Sequence, residues 1–451
     1  VLVDLEVAML DCVVVGAGLA GLCAATKLTE AGRDVVVLEA RDRVGGRLEN
    51  VVVEGVPLEM GGQWISPQHE RMCELVDRFG LTCVDPTDGE IVVRVGGSSR
   101  KVPTSNEIEE HLSPFEMADL GQGLLRFRRL AERVVKDAAW ADANSKWLDQ
   151  EVSTWAATNL RTPGAREWFA NVYDSAMGVS AAESTLLEGL QRVNNGVDME
   201  SLIAVNGGVK QQRVAGGVVQ VCDRLAEALG EAVRLGAVVT AIEQGSEGVT
   251  VTLADGSTVE AREVIITLPP RLVSRIAFTP LLPGWRSELA EKVPAGNVIK
   301  AALVFESPWW RRAGLSGQLG SDEGAMRVIF DNSGPVDKHG VLMGFFEGDS
   351  SIGKRSQFLR QRAMEETIKT AFGAGHPAAI AYVDRDWYRE EYTGGCHGAH
   401  FAPGVWTTSG PALAAAEGRV HFAGAEYASK YNGYMEGAVR SGEQVAEQLL
   451  A

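Results

Sequence analysis

At 451 residues and a formal charge of −17, the chain is too long for one simple core. It is also too acidic to favour nucleic acid or an anionic membrane, since neutralising phosphates takes clustered Lys and Arg. With 45% hydrophobic and 23% charged residues it reads as an ordinary globular protein, which argues against disorder over most of its length. The six cysteines are scattered without a CxxC pair, which points to a reducing cytoplasm, and no apolar run approaches the ~20 residues that span a bilayer. The opening VLVDLEVAML has two acids and no Lys or Arg, so it lacks the basic start of a signal peptide; its first eight residues read as an extension ahead of Met9. A soluble protein is expected.

From Asp11 the chain runs DCVVVGAGLAGLCAATKLTEAGRDVVVLEARDRVGGR. An apolar strand, 12 to 15, meets Gly16-x-Gly18-x-x-Gly21, and a helix of small residues follows. Gly16 permits the tight turn, Gly18 lets the backbone approach a pyrophosphate, and Gly21 lets helix and strand pack closely. The helix ends near Gly32 and leads into a second strand whose last residue, Glu39, lies 18 positions past Gly21. An acid there holds an adenosine ribose 2′-hydroxyl and repels the extra phosphate of NADP, which leaves NAD and FAD open. LEMGGQWISP, 58 to 67, reads as another strand end pinned by Gly61 and Gly62.

Residues 106 to 190 read as mostly helical, with apolar residues at three- and four-residue spacing, and the basic RFRRL at 126 to 130 reads as a solvated helix face. RVAGGVVQVCDRLAEAL, 213 to 229, is a glycine turn and an amphipathic helix. Alternating strands follow, with Ala254-Asp255-Gly256-Ser257 closing a hairpin. A further excursion, about 281 to 384, carries strands NVIKAALVF and VLMGFFEG and a helix over 355 to 372. No repeat or long linker is visible, so domains woven from separated segments are expected.

Three spots in this pattern carry chemistry. Lys300 follows an apolar stretch of buried strand, where a lysine is costly unless solvated or paired. Tyr434 begins a helix. In TGGCHGAH, 393 to 400, Cys396 reads as a metal ligand, a nucleophile, a disulfide partner or a small apolar filler. Cys396, His397 and His400 crowd into five positions without a second cluster, a poor zinc pattern, and no metal is expected.

Four stretches together, VVVGAGLAGL through DRVGGR, LEMGGQWISP, VPAGNVIKAALVFESPWWR, and WYREEYTGGCHGAHFAPG with RVHFAGAEYASKYNGYMEGAVRSGEQVA, resemble the flavin-containing monoamine oxidase family from Asp11 to Leu450. The resemblance implies FAD and an α/β fold, α+β overall. A Rossmann-type FAD-binding domain (9–85, 205–280 and 385–451) is interwoven with a substrate-binding domain of mixed sheet and helices (86–204 and 281–384). It implies that Ala40, Arg41, Gly45, Gly46 and Arg47 continue the phosphate site, and that Gly61, Gly62, Gln63 and Trp64 lie against the flavin. Val239 falls near the adenine, Trp387 and Tyr392 near the ring, and Gly424, Glu426, Gly433, Tyr434 and Met435 complete the cofactor set. Cys396 takes the position that forms a thioether to the flavin 8α-methyl in the covalently flavinylated members, and Gly394 and Gly395 let the backbone approach that edge.

The implied activity is oxidation of an amine. A hydride equivalent passes from the carbon next to nitrogen to flavin N5, the imine hydrolyses to an aldehyde or ketone plus ammonia, and dioxygen becomes hydrogen peroxide. Lys300 is implied to hold a water against N5. Tyr434 is one wall of an aromatic slot, and the other wall, usually tyrosine, is His397 here; an imidazole that protonates repels an ammonium substrate. The strand AMRVIFDN, 325 to 332, offers Val328, Ile329 and Phe330 where diamine oxidases tend to place an acid. An apolar primary monoamine is therefore expected, while Arg327 facing the cavity would favour an amino-acid-like substrate. A diamine or polyamine, an L-amino acid, a flavin dehydrogenase or desaturase with another acceptor, and a non-catalytic flavin-binding or nucleotide-sensing protein stay open. A homodimer is the family-level expectation.

Overall fold

The computed structural model describes residues 9–95, 97–103, 112–136, 138–177, 180–194, 212–293, 295–321, 324–334, 338–399 and 412–451. They pack as two compact units. The first holds the described residues of Val1–Arg47, Val219–Pro294 and Gly404–Ala451, and the second those of Leu48–Val218 and Ala295–Pro403. The described residues of the stretches 48–85, 212–218 and 385–399, expected with the nucleotide-binding segments, therefore pack in the second unit, and 281–293 packs in the first.

The first unit is an eight-stranded sheet with a parallel centre. Strand Leu10–Val15 lies between Val35–Leu38 and Thr258–Ile266, parallel to both, and Val420–Phe422 adds in parallel to the far side of Thr258–Ile266. Strands buried on both faces read as near-continuous apolar runs, which is why VVV recurs at 13–15 and 35–37. The strands Val239–Gln244 and Val249–Leu253 extend the sheet antiparallel, and the expected turn forms between Leu253 and Thr258. There Asp255 Oδ1 accepts from the Ser257 backbone N–H at 2.9 Å, with Gly256 at φ +85°. Helices Leu19–Glu30 and Met435–Leu450 pack tightly enough that a Cβ on Gly442 would fall 2.1 Å from the Ala20 carbonyl oxygen.

The second unit is built on a seven-stranded sheet in the order Ala381–Asp386, Val298–Phe305, Gly340–Glu347, Val328–Asp331, Leu315–Ser321, Glu90–Val95 and Ser98–Pro103. Alternation divides strand Val298–Phe305, second from one edge, between two cores. Ile299, Ala301, Leu303 and Phe305 face helix Gln357–Phe372, which contributes Met364 and Ile368. Ala302 and Val304 face the hairpin Asn50–Val53 and Val56–Glu59, whose Val56 and Leu58 are buried against them with Met60, Val341 and Met343. That packing is the physical reason residues 48–60 belong to this unit, since each such aliphatic side chain buried contributes about 1.5–3 kcal/mol. The expected helical region appears as a cluster including Pro114–Lys136, Val152–Asn159 and Pro163–Met177, centred on Phe127 with Trp155 and Phe169 edge-on at 4.9 and 5.4 Å.

Candidate active site

In the first unit the turn after Leu10–Val15 forms as the glycine spacing predicts. Gly16 adopts φ +105°, and Gly18 begins helix Leu19–Glu30 without a side-chain cap. A Cβ on Gly21 would lie 2.0 Å from the Gly16 carbonyl oxygen, so only glycine allows the helix to sit on the turn. Glu39, buried at the end of the second strand, reaches this turn: Oε2 accepts from the Ala17 N–H at 2.8 Å and Oε1 from the Arg41 N–H at 3.0 Å. The following loop closes over the same place. The Gly45 N–H donates to the Ala17 carbonyl at 2.9 Å, and Gly46, at φ +56°, comes so near Gly18 that its Cβ would lie 3.4 Å from the Gly18 Cα. Bare backbone thus meets bare backbone beside an uncapped helix start, a cradle for an anion that side chains would fill.

Residues from the other end of the chain complete this unit. Glu426, 2% exposed, takes the Arg47 guanidinium end-on, at 2.6 Å to Nη1 and 2.9 Å to Nη2. Arg47 was expected as a cation beside phosphates; its charge is matched by a fixed bidentate partner. Gly424, at φ +145°, donates its N–H to Ser441 Oγ at 3.0 Å. Tyr434 is the half-buried N-cap residue of Met435–Leu450 and follows Gly433 at φ +82°. Val239 begins a strand at a bulge and is half-buried.

The second unit carries a buried polar group on the hairpin-facing side of its sheet. Lys300, 3% exposed, donates to the Gly61 carbonyl at 2.9 Å and to Gln63 Oε1. Gln63 Nε2 donates to Asn332 Oδ1 at 2.8 Å. Arg213 donates to the Asn332 and Ser333 carbonyls at 3.0 and 2.7 Å, and its Nη1 lies 3.9 Å from Glu59 Oε2. The other oxygen of Glu59 accepts from the Val218 N–H at 2.8 Å. Burial pushes Lys300 down from 10.5 to about 7 against the pull of Glu59, with Arg213 pushing the same way as burial. Burial pushes Glu59 above the usual carboxylate range, opposed by Lys300, the Val218 N–H and Arg213.

Aromatic side chains surround this lysine. Its Nζ lies 5.9 Å from the Trp64 ring centroid, and Trp64 meets Phe330 and Phe345 edge-on at 5.1 and 6.2 Å. Trp387, 3% exposed, donates its indole N–H to the Met60 carbonyl at 2.7 Å, so the glycine pair at 61 and 62 is held at its preceding residue.

A family model described as flavin containing amine oxidoreductase matches residues 19–450. The chain belongs to that family. It is 35% identical over 443 residues to a putative flavin-containing monoamine oxidase of Mycobacterium tuberculosis, covering 98% of this chain and 96% of that one. Among solved structures it is similar to putrescine oxidase bound to putrescine, with TM-score 0.91 and 29% identity over 98% of this chain and 99% of the other. It is also similar to cyclohexylamine oxidase from Brevibacterium oxydans IH-35A, with TM-score 0.87 and 30% identity over 98% of each chain. The protein is a flavoenzyme that oxidises amines, and its cofactor is FAD. The Gly18–Gly46 cradle, with Glu39 at its edge, fits the nucleotide half of that cofactor.

The remaining residues of this flavin amine oxidoreductase are placed as follows. Cys396 is buried at the start of strand Cys396–Ala399, which pairs with Ala295–Gly296, and its thiol lies 3.3 Å from the Gly296 carbonyl oxygen. The space left by Gly395, at φ +151°, is taken by this partner strand: a Cβ there would lie 2.1 Å from Ala295 Cβ. The backbone of His397 runs in the same strand, while its side chain and His400 lie outside the described residues. Tyr392 is half-buried just ahead of this strand. No group of three or more His, Cys, Asp or Glu among the described residues could hold a metal ion. None of the six cysteines is in a disulfide.

Val328 and Phe330 share one face of their strand and are half-buried, while Ile329 is buried on the opposite face. The acid of that strand, Asp331, is bound to Trp310 Nε1 at 2.9 Å and Arg311 Nε at 2.8 Å. Arg327 is exposed, with its nearest acid, Glu347, at 3.9 Å. Glu59, Arg213, Asn332 and Phe345 are the site residues that sequence reasoning passed over. An acid inside the apolar VPLEM run was the one available signal.

Proposed function

We propose that the protein is an amine oxidase for primary monoamines with an apolar aryl, alkyl or alicyclic group. The carrying observation is the strand Val328–Asp331, whose half-buried face offers Val328 together with Phe330, the latter beside Trp64, while its acid is bound to Trp310 and Arg311. The strand itself presents no carboxylate on that face to a distal ammonium. The name of one similar solved protein, cyclohexylamine oxidase, is consistent with an alicyclic monoamine.

Bound FAD supplies the redox chemistry, taking the hydride equivalent from the carbon next to nitrogen and passing two electrons to dioxygen. The chain's own residues bind, orient and manage protons. We assign Gly16, Gly18, Gly21, Glu39, Ala40, Arg41, Gly45, Gly46, Arg47, Val239, Gly424 and Glu426 to the nucleotide and ribitol portions. Gly61, Gly62, Gln63, Trp64, Trp387, Tyr392, Gly433 and Met435 are assigned to the ring portion. Tyr434 and His397 orient the amine, with the uncharged imidazole admitting it. Lys300, held near neutrality by burial, holds or releases a proton at Nζ during reoxidation. By this assignment the first unit is the FAD-binding domain, and the second carries the substrate-binding residues together with the ring-side segments.

Cys396 is assigned a thioether to the cofactor, supported by a buried thiol that is in no disulfide. Yellow colour staying with acid-precipitated protein is the expected result, and full release into the supernatant removes the bond. The same reading puts the protein in the cytoplasm, supported by the absence of disulfides, and as a homodimer in solution, which light scattering tests. Among the described residues no helix is long and apolar enough to cross a membrane.

The function is tested by adding cyclohexylamine, benzylamine, putrescine and L-leucine in turn to the purified protein under anaerobic conditions, then admitting air. Bleaching with the first two and peroxide on reoxidation are expected. Bleaching by putrescine or leucine alone overturns the substrate class, and bleaching without peroxide makes the protein a dehydrogenase.

A further inference from the structure

Lys300 is the one residue the proposed reoxidation asks to handle a proton, and the hydrogen bonds at its Nζ restrict how it does so. Two oxygens accept from Nζ, the Gly61 carbonyl at 2.9 Å and Gln63 Oε1. The Gln63 amide cannot turn over freely, because its Nε2 is committed to Asn332 Oδ1 at 2.8 Å and the side chain is 2% exposed. Asn332 is fixed in turn: its carbonyl accepts from Arg213 at 3.0 Å, its N–H donates to the Val341 carbonyl at 2.8 Å, and it is 8% exposed. A flipped Gln63 would set its NH2 against the lysine ammonium and its Oε1 against Asn332 Oδ1, at the cost of a hydrogen bond at each end.

We propose that Gln63, locked by Asn332, is a positioning residue: with the Gly61 carbonyl it occupies two of the three valences of Lys300 Nζ and leaves a single valence through which a proton is held or exchanged. This rests on the reading of Lys300 given above and reassigns Gln63 from contact with the cofactor to control of the lysine. The two bonds persist in both charge states, since the neutral amine still has two N–H groups to give. Only the third valence changes, from N–H donor to lone pair, as the proton leaves. The groups that bias this exchange are Glu59 and Arg213; opposite Lys300 on the neighbouring strand stands Arg385, which pairs with Glu49 and Glu390. Strand Gly340–Glu347 presents the uncharged Phe345 opposite Lys300.

Two readouts on the FAD-loaded enzyme test the proposal. The first is reoxidation of dithionite-reduced enzyme by dioxygen in stopped flow across pH, which needs no amine. Gln63→Leu should slow it about tenfold, the scale of one lost hydrogen bond to a charged group. Gln63→Glu should keep the acceptor and move the inflection to higher pH, because a carboxylate beside the ammonium favours the charged form. The second is unfolding followed by tryptophan fluorescence. Asn332→Ala and Gln63→Leu should each lower the midpoint, and by roughly half as much or less in a Lys300→Met background, since contacting residues couple. If Lys300→Met slows reoxidation while both Gln63 variants keep the wild-type rate and profile, the positioning role is overturned and the role of Lys300 stands. If Lys300→Met changes nothing, both fall. A Gln63→Leu midpoint that drops equally in both backgrounds reduces Gln63 to a packing residue.

Discussion

Because burial holds Lys300 near pH 7 rather than 10.5, its contribution to stability depends on pH. Below about 7 it is protonated in both the folded and unfolded chain, and the cost of burying the charge is felt in full. Between about 7 and 10.5 the unfolded chain binds the additional proton, so stability rises with pH across that window. Wild type should therefore gain on Lys300→Met in unfolding midpoint as pH is raised from 7 to 10; parallel curves would mean the lysine is not perturbed. Lys300 was legible in the sequence because a lysine inside VIKAALVF is an expense that needs a reason. Glu59, Arg213 and Asn332 were not, because their significance arises only when separate segments of the chain fold together around it. His397 stands out in the sequence against the tyrosine usual at its place. Because an imidazole can take up a proton where a phenol cannot, kcat/KM for an amine should fall more steeply toward acid pH in wild type than in His397→Tyr. Superimposable profiles would remove the imidazole from substrate binding.

At the scale of the element, the turn after the first strand was readable because Gly16 and Gly21 each answer to a separate steric demand. Gly21 is the sharpest case, with the Gly16 carbonyl oxygen 2.0 Å from where a Cβ would be. Gly21→Ala must push helix Leu19–Glu30 off the turn, and we expect the purified variant to lose most of its FAD, seen as a fall in the ratio of visible to ultraviolet absorbance. Gly284→Ala, where a Cβ would meet nothing within 4 Å, should keep the wild-type ratio. Long periodic elements such as Val298–Phe305 and Gln357–Phe372 were equally readable. The two-residue strand Ala295–Gly296 that pairs with Cys396–Ala399 was not, because two residues carry no period. Hence Gly395, read as room for a cofactor edge, turns out to have its Cβ position taken by Ala295.

For the whole molecule, each unit is built from separated segments, and their grouping depends on tertiary packing. The 48–60 hairpin joins the second unit because the sheet face bearing Ala302 and Val304 buries it, a preference that no local pattern encodes. The charge of −17 acts at this scale too. An acidic protein draws in ammonium substrates through its long-range field, which salt screens within about 8 Å at physiological ionic strength. We expect kcat/KM for an amine to fall several-fold between low and high salt at constant pH, with kcat little changed. Equal values at both would show that the field plays no part in capture.

The pairing of Arg47 with Glu426 also bears on synthesis. Translation makes Arg47 379 positions before its partner, and the strand Val420–Phe422 beside Thr258–Ile266 and the helix seated against Ala20 emerge as late as Glu426 does. The glycine turn therefore waits, once made, for a latch, a strand and a helix that one distant segment delivers together.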